Sequence, residues 1–348
     1  MAPNNAVSER PLAGQVAVVA GATRGAGRGI ARALGEAGAL VYCTGRSVPG
    51  KPSPYGRPET IDDTAAMIVA AGGTAVPVRV DHTVEPEVEA LFARIEREQG
   101  RLDVLADSVA GEDPLMDDWG AFWEIDVSRG DALLRQAVLS RLITARHAAR
   151  LMIRQRRGLI VQLTENDVLS ASGNVLTQLA RMAHKVLATI LALELRPHGV
   201  AALALTPGFL RSERILEHFG VTEATWRDAG TKDSNFLESE SPLFVGRAVA
   251  ALAQEPNITA RSGHLFSSWG LAREYGFTDV DGRRPDWGAL TPDFSTLPPS
   301  LCKSILDGFE FQHDWLKVLS DRTAHYLEAW GPGLREQSRR PPAAGGQL

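Results

Sequence analysis

Short apolar runs separated by helix-patterned stretches constrain this chain more than any other feature. The runs lie at 16–20, 39–43, 76–80, 102–106, 159–163 and 200–205, with a last one at 263–266. Helical periodicity fills the gaps at 30–38, 61–71, 88–98, 129–156 and 175–196. A strand apolar on both sides must be covered on both faces, which is the condition of a parallel sheet crossed by helices. The chain is therefore expected to be α/β, a doubly wound Rossmann-like parallel sheet of about seven strands.

One body is expected over 11–287, with a C-terminal extension over 288–348. The extension reads as one helix at about 299–330 and a Pro/Gly/Ala-rich disordered end. In the long helix 129–156, Leu134, Val138, Leu142, Ala145, Ala149 and Met152 recur at helical spacing and predict a buried stripe. An insertion at 209–241 mixes charges with Phe219, Trp226 and Phe236, as a lid beside a ligand crevice would.

Composition narrows the function. The 348 residues carry a formal net charge of -5 with no basic run, so no nucleic-acid partner is expected. No apolar stretch reaches the length of a membrane span. Cys43 and Cys302 stand far apart without metal-ligand spacing, so no metal is expected and a reducing compartment is the simplest reading. The polar start of the chain has no apolar signal core, and a cytoplasmic location is expected.

The motif with the clearest chemistry is the turn after the first strand, Gly21-Ala-Thr23-Arg24-Gly25-Ala26-Gly27. Glycines there let backbone N–H groups approach a pyrophosphate, and the helix after the turn adds its partial positive charge. The spacing GxxxGxG resembles the signature of the short-chain dehydrogenase/reductase family, and the resemblance spans roughly 15–287. NAD-selective dinucleotide folds place an acid after the second strand. Here 37–58 holds no Asp or Glu, and Arg46 comes after the strand while Arg24 lies in the glycine loop. Guanidinium groups suit a 2′-phosphate, so NADP(H) is the expected cofactor.

The resemblance implies further cofactor contacts. Asp81, with His82 next to it, stands where the family places an adenine-contacting Asp. Asp107 and Ser108 replace the Asn pair of the family's Asn-Asn-Ala-Gly segment. Pro207-Gly208-Phe209-Leu210-Arg211-Ser212 looks like the Pro-Gly-x-Val-x-Thr element, in which Ser212 would bond the nicotinamide carboxamide. A small-molecule substrate is implied, as is a homo-oligomer formed through the two long helices.

At the catalytic end the resemblance fails. The family uses Tyr-x-x-x-Lys on one helical face and a Ser on the preceding strand. The matching positions here are Thr177, Arg181 and Thr164. Where the family carries an Asn on the long helix, this chain reads Leu134-Arg135-Gln136. No Tyr-x-x-x-Lys exists elsewhere, because Tyr42, Tyr55, Tyr275 and Tyr326 have Arg46, Glu59, Asp279 and Trp330 four positions on. An aliphatic hydroxyl is a far weaker acid than a phenol, and Arg cannot give up its proton. Three readings stay open. A reductase could draw its proton from Glu165, Asp167 or Asp107, or act on a substrate needing little acid help. The site could instead catalyse a non-redox cyclisation, elimination or isomerisation. Or the chain could be an inactive nucleotide-binding pseudo-enzyme. His184, seven residues after Thr177 and on its face, fits packing better than catalysis.

Overall fold

A computed structural model describes residues 10–52, 56–110, 123–165 and 175–290. The chain divides after Leu290 into two units, and all described residues lie in the first. The helix expected at 299–330 and the end beyond it fall outside the described residues.

The sheet has seven parallel strands, β1 (Val16–Ala20), β2 (Leu40–Gly45), β3 (Thr74–Arg79), β4 (Val104–Asp107), β5 (Gly158–Leu163), β6 (Val200–Thr206) and β7 (Leu265–Ser267). Their spatial order is β3-β2-β1-β4-β5-β6-β7. The order reverses between β1 and β4, which opens a crevice at the carboxyl ends of the strands. Pro77 sits on β3, an edge strand, where its missing N–H costs no ladder bond on the open side.

Alternate residues along each strand serve two cores. Ala17, Val19, Val41, Cys43, Val104 and Val161 pack on one face against α1 (Gly25–Glu36) and α8 (Pro242–Gln254). Val18, Ala20, Tyr42, Leu105, Ile160 and Ala202 pack on the other against α3 (Glu85–Gln99), α5 (Ser140–Gln155) and α6 (Val175–Leu195). This is what double-sided apolar strands require. The crossing of α1 and α8 is unusually close. A Cβ on Gly29 would strike the Pro242 carbonyl, and one on Gly246 would strike the Gly29 carbonyl. Glycine is needed at both positions for contact of backbone with backbone.

The helix expected at 129–156 is not continuous. It is α4 (Ser128–Leu134), a π turn (Arg135–Leu139) and α5. A π turn inserts one extra residue and rotates the helix on its N-terminal side relative to the helix on its C-terminal side. The expected stripe is accordingly broken: Ala145, Ala149 and Met152 are buried, but Leu134 and Leu142 are 36% and 44% exposed. Leu133, Ala137 and Arg141 point inward instead.

The insertion at 209–241 builds a small core of its own. It contains α7 (Glu213–Phe219) and, after it, two short 3-10 turns. Phe219, Trp226, Ala229 and Phe236 are buried together, with Phe219 and Phe236 ring centroids 4.6 Å apart. Arg211 ties this core to the body. Its guanidinium is fully buried, meets Asp279 at 3.0 Å and Glu223 at 2.8 Å, and lies 4.3 Å from the Trp226 ring centroid. A buried guanidinium needs such paired and stacked neighbours to offset its lost hydration.

Candidate active site

The glycine loop is a narrow backbone passage between β1 and α1. Gly21 adopts φ +80, and the amides of Gly21 and Ala22 donate to the Thr44 carbonyl at 3.0 and 2.9 Å. A Cβ on Gly21 would enter the Ser108 carbonyl, and one on Gly27 would enter the Gly21 carbonyl. Such a cradle fits the close approach of a dinucleotide pyrophosphate, and no larger side chain could share it. Leu210 and Ser212 flank the loop, 3.9 and 3.6 Å from where a Cβ on Gly25 would stand.

Six of the expected cofactor residues line one crevice: Gly21, Thr23, Arg24, Arg46, Asp81 and His82. Gly45, Ser47, Val80, Val109, Ala110 and Gln136 join them, and Gln136 comes from the segment where the family's long-helix Asn was sought. Gln136, from the π turn, donates to the Ala110 carbonyl at 3.2 Å. Arg46 lies 3.9 Å from Asp81. Burial works to raise the Asp81 carboxyl, but the Thr83 hydroxyl and amide and the Arg46 cation outweigh it and hold it below the usual range. His82 is fully buried between the hydroxyls of Thr44 and Thr144, each at 2.9 Å. Burial drops its pKa to about 4, so the ring is neutral and serves as a brace.

Arg24 faces Glu59 at 3.7 Å. This acid stands one residue past the acid-free interval 37–58, so a window one residue longer would have included it. Glu59 is itself gripped by Arg57 at 2.7 and 3.0 Å. A larger cavity of 440 Å³ between α1, α8 and Phe277 contains none of the expected site residues.

Of the expected catalytic positions, Thr164 and Glu165 follow β5 directly, and Arg181 of α6 meets Glu165. Thr164 and Thr177 are both buried. Arg181 is half-buried and pairs with the exposed Glu165 at 2.5 Å. Asp167 lies outside the described residues. Asp107 is fully buried at the end of β4, directly across the ladder from Gln162. Strand alternation puts Gln162 and Thr164 on the same face as Asp107, the face covered by α5 and α6.

From α5, the buried Arg141 reaches into this cluster. It donates to the carbonyls of Asp107 (3.2 Å), Leu163 (2.5 Å) and Val109 (3.0 Å), which joins the ends of β4 and β5. Burial raises the Asp107 carboxyl; the Arg141 cation and the Val109 amide at 3.2 Å work against that. His184 is buried and bonds the Ala137 carbonyl at 2.8 Å, in the π turn. Burial, with Arg141 nearby, keeps it neutral.

Pro207 and Gly208 come directly after β6. The Gly208 amide donates to Glu240 at 2.9 Å, and the Ser268 hydroxyl donates to the same oxygen at 2.5 Å. Burial pushes the Glu240 pKa to about 8. No sequence signal marked Arg141, Gln162 or Glu240, because each meets its partners only through the fold.

Known proteins match this geometry and sequence. The pattern of the short chain dehydrogenase family covers residues 15–218. The chain is 39% identical to dehydrogenase/reductase SDR family member 1 of Mus musculus over 316 residues, covering 89% of this chain and 97% of the mouse protein. The Homo sapiens protein of the same name is 39% identical over 278 residues, covering 78% and 85%. Among solved structures, a short chain dehydrogenase of Mycobacterium thermoresistibile superposes with a TM-score of 0.65 at 22% identity, covering 80% of this chain and 92% of that one. An actinorhodin polyketide ketoreductase solved with NADPH gives 0.59 at 22%, covering 73% and 95%.

Proposed function

The chain belongs to the short-chain dehydrogenase family, and from that premise we propose that it is an NADP(H)-dependent oxidoreductase of a small molecule, with a proton supply unlike the family's tyrosine. The observation that carries the cofactor reading is the pair of guanidinium groups, Arg24 and Arg46, lining the crevice beside the glycine loop. Backbone amides of the loop would hold the pyrophosphate, and the two cations would meet the 2′-phosphate. When bound, the nicotinamide would exchange a hydride with the substrate.

Proton handling falls to this chain's own residues. Thr177 stands in the tyrosine's place and is too weak an acid to replace it. Arg181 offers charge, but Glu165 neutralises much of it at 2.5 Å. Asp107 has the better claim to hold a proton, since burial raises its carboxyl. Substrates that need little acid assistance, such as an iminium or an activated alkene, fit this equipment best. Calorimetry should show NADP binding more tightly than NAD; equal affinities would overturn the cofactor assignment.

A homo-oligomer is part of the same reading. Leu139 and Leu142 on one side and Leu179, Val186, Ile190 and Leu193 of α6 on the other remain 44 to 53% exposed. Two helices with outward apolar rows suit a second copy of the chain. Light scattering at micromolar concentration should give at least a dimer, and a monomer would refute this.

A further inference from the structure

Helix α7 carries two carboxylates one turn apart, Glu213 and Glu217, and both are committed to the cofactor end. Glu213 accepts a hydrogen bond from the Gly25 amide at 2.8 Å and lies 3.0 Å from the Arg28 guanidinium. Glu217 grips Arg57 with both oxygens, at 2.7 and 2.9 Å. Arg57 in turn holds Glu59, which faces Arg24.

Gly25 opens α1, so its N–H is among the donors a helix leaves without an internal partner, where anions are favoured. We propose that Glu213 is a built-in anion that competes with the dinucleotide pyrophosphate for the N-terminus of α1 and thereby sets cofactor affinity. The proposal rests on the reading that the crevice takes a nicotinamide nucleotide. A carboxylate and a pyrophosphate brought to one set of donors repel each other, so one must leave. Arg28 holds Glu213 in place against that displacement. The chain Glu217–Arg57–Glu59 extends the competition to Arg24, where a 2′-phosphate must win the guanidinium from Glu59.

The two contests separate experimentally. Every nicotinamide dinucleotide carries the pyrophosphate, and only NADP(H) carries the 2′-phosphate. Glu213→Gln should therefore tighten NAD and NADP alike, by about tenfold, the scale of one charge at a helix terminus. Glu59→Gln should tighten NADP alone. Glutamine keeps the shape and an acceptor oxygen, and a thermal melt checks that each variant is folded.

The test is calorimetric titration of the full-length parent and both variants with NADP and with NAD. A folded Glu213→Gln protein with unchanged or weaker affinity, beside a parent that binds NADP, overturns the proposal and leaves the cofactor reading standing. Absence of binding in the parent and both variants overturns both. The Gly25 amide resonance of glycine-labelled protein supplies a readout independent of affinity. It should shift when Glu213 is replaced and again when NADP is added to the parent. A Gly25 resonance that ignores NADP in a parent that binds it contradicts competition.

Discussion

Near the first turn of α1, Arg24 faces Glu59, Arg28 faces Glu213, Arg46 faces Asp81 and Arg57 faces Glu217. Near the ends of β4 and β5 the polar groups are deeper and less matched. Asp107 Oδ2, Thr164 Oγ1, Arg141 Nε and both carboxamide atoms of Gln162 are buried without a hydrogen bond among the described residues. The first region is a half-exposed set of charges that trade partners at small cost. The second is a desolvated cluster in which an unmatched polar atom costs about 1–3 kcal/mol. Stability alone does not favour such a cluster, which suits the catalytic role proposed for this region. The proposed cofactor end is tuned by charge and the proposed catalytic end by burial.

That contrast is most exposed to failure at Arg141. Arg141→Met should cost about 3–5 kcal/mol, because it strands three buried carbonyls at about 1–3 kcal/mol each. Denaturant midpoints check it. A cost below about 1 kcal/mol, the scale of an exposed pair, would erase the difference between the regions.

A functional effect is expected at Thr177, proposed to stand in the tyrosine's place. The parent should show negligible NADPH-dependent reduction of simple ketones, since a general acid is worth about 10²–10⁴ in rate. Thr177→Tyr with Arg181→Lys should raise that rate. Efficient ketone reduction by the parent would show that another group supplies the proton, and Glu165→Gln and Asp107→Asn would then identify it.

At the cofactor end, Arg46→Ala should weaken NADP by about tenfold, the scale of one exposed charge-assisted contact to phosphate, while NAD changes little. A preference for NADP that survives the change would place selectivity elsewhere.

A pH-dependent effect is expected at Glu240. Its folded pKa, about 8, lies above the ordinary carboxylate value of 4.5. The folded state therefore keeps a proton that the unfolded state has lost between those values, and stability falls as pH rises through the window. Glu240→Gln should flatten that part of the stability profile. An identical slope in parent and variant would show that Glu240 titrates normally.

How much of this was legible in the sequence depends on the range of the interaction. Apolar runs alone implied seven strands in a parallel sheet, and the strand ends lie within about two residues of the expected ones, because alternation is a local property. The glycine loop was equally legible, since its three glycines fall within seven residues, although the Ser108 carbonyl that Gly21 must clear comes from elsewhere in the chain. The π turn was not. Nothing in Arg135–Leu139 distinguishes it from ordinary helix, and the extra residue moved Leu134 and Leu142 outward. Glu213 is 188 residues from the Gly25 amide it accepts from, and Arg141 is 34 residues from Asp107. Such partners are chosen by the fold, and no spacing rule along the chain reports them.

The backbone crossing at Gly29 and Gly246 carries a consequence for how this protein can diverge. Any side chain added at either position must push α1 away from α8, and α1 begins at the glycine loop. A packing change between α1 and α8 would thus be felt in the geometry of the glycine loop. The two positions are bound into one heritable unit: relatives that keep this crossing should have both small, and a relative that enlarges one should have moved its α1 and reshaped the loop ahead of it.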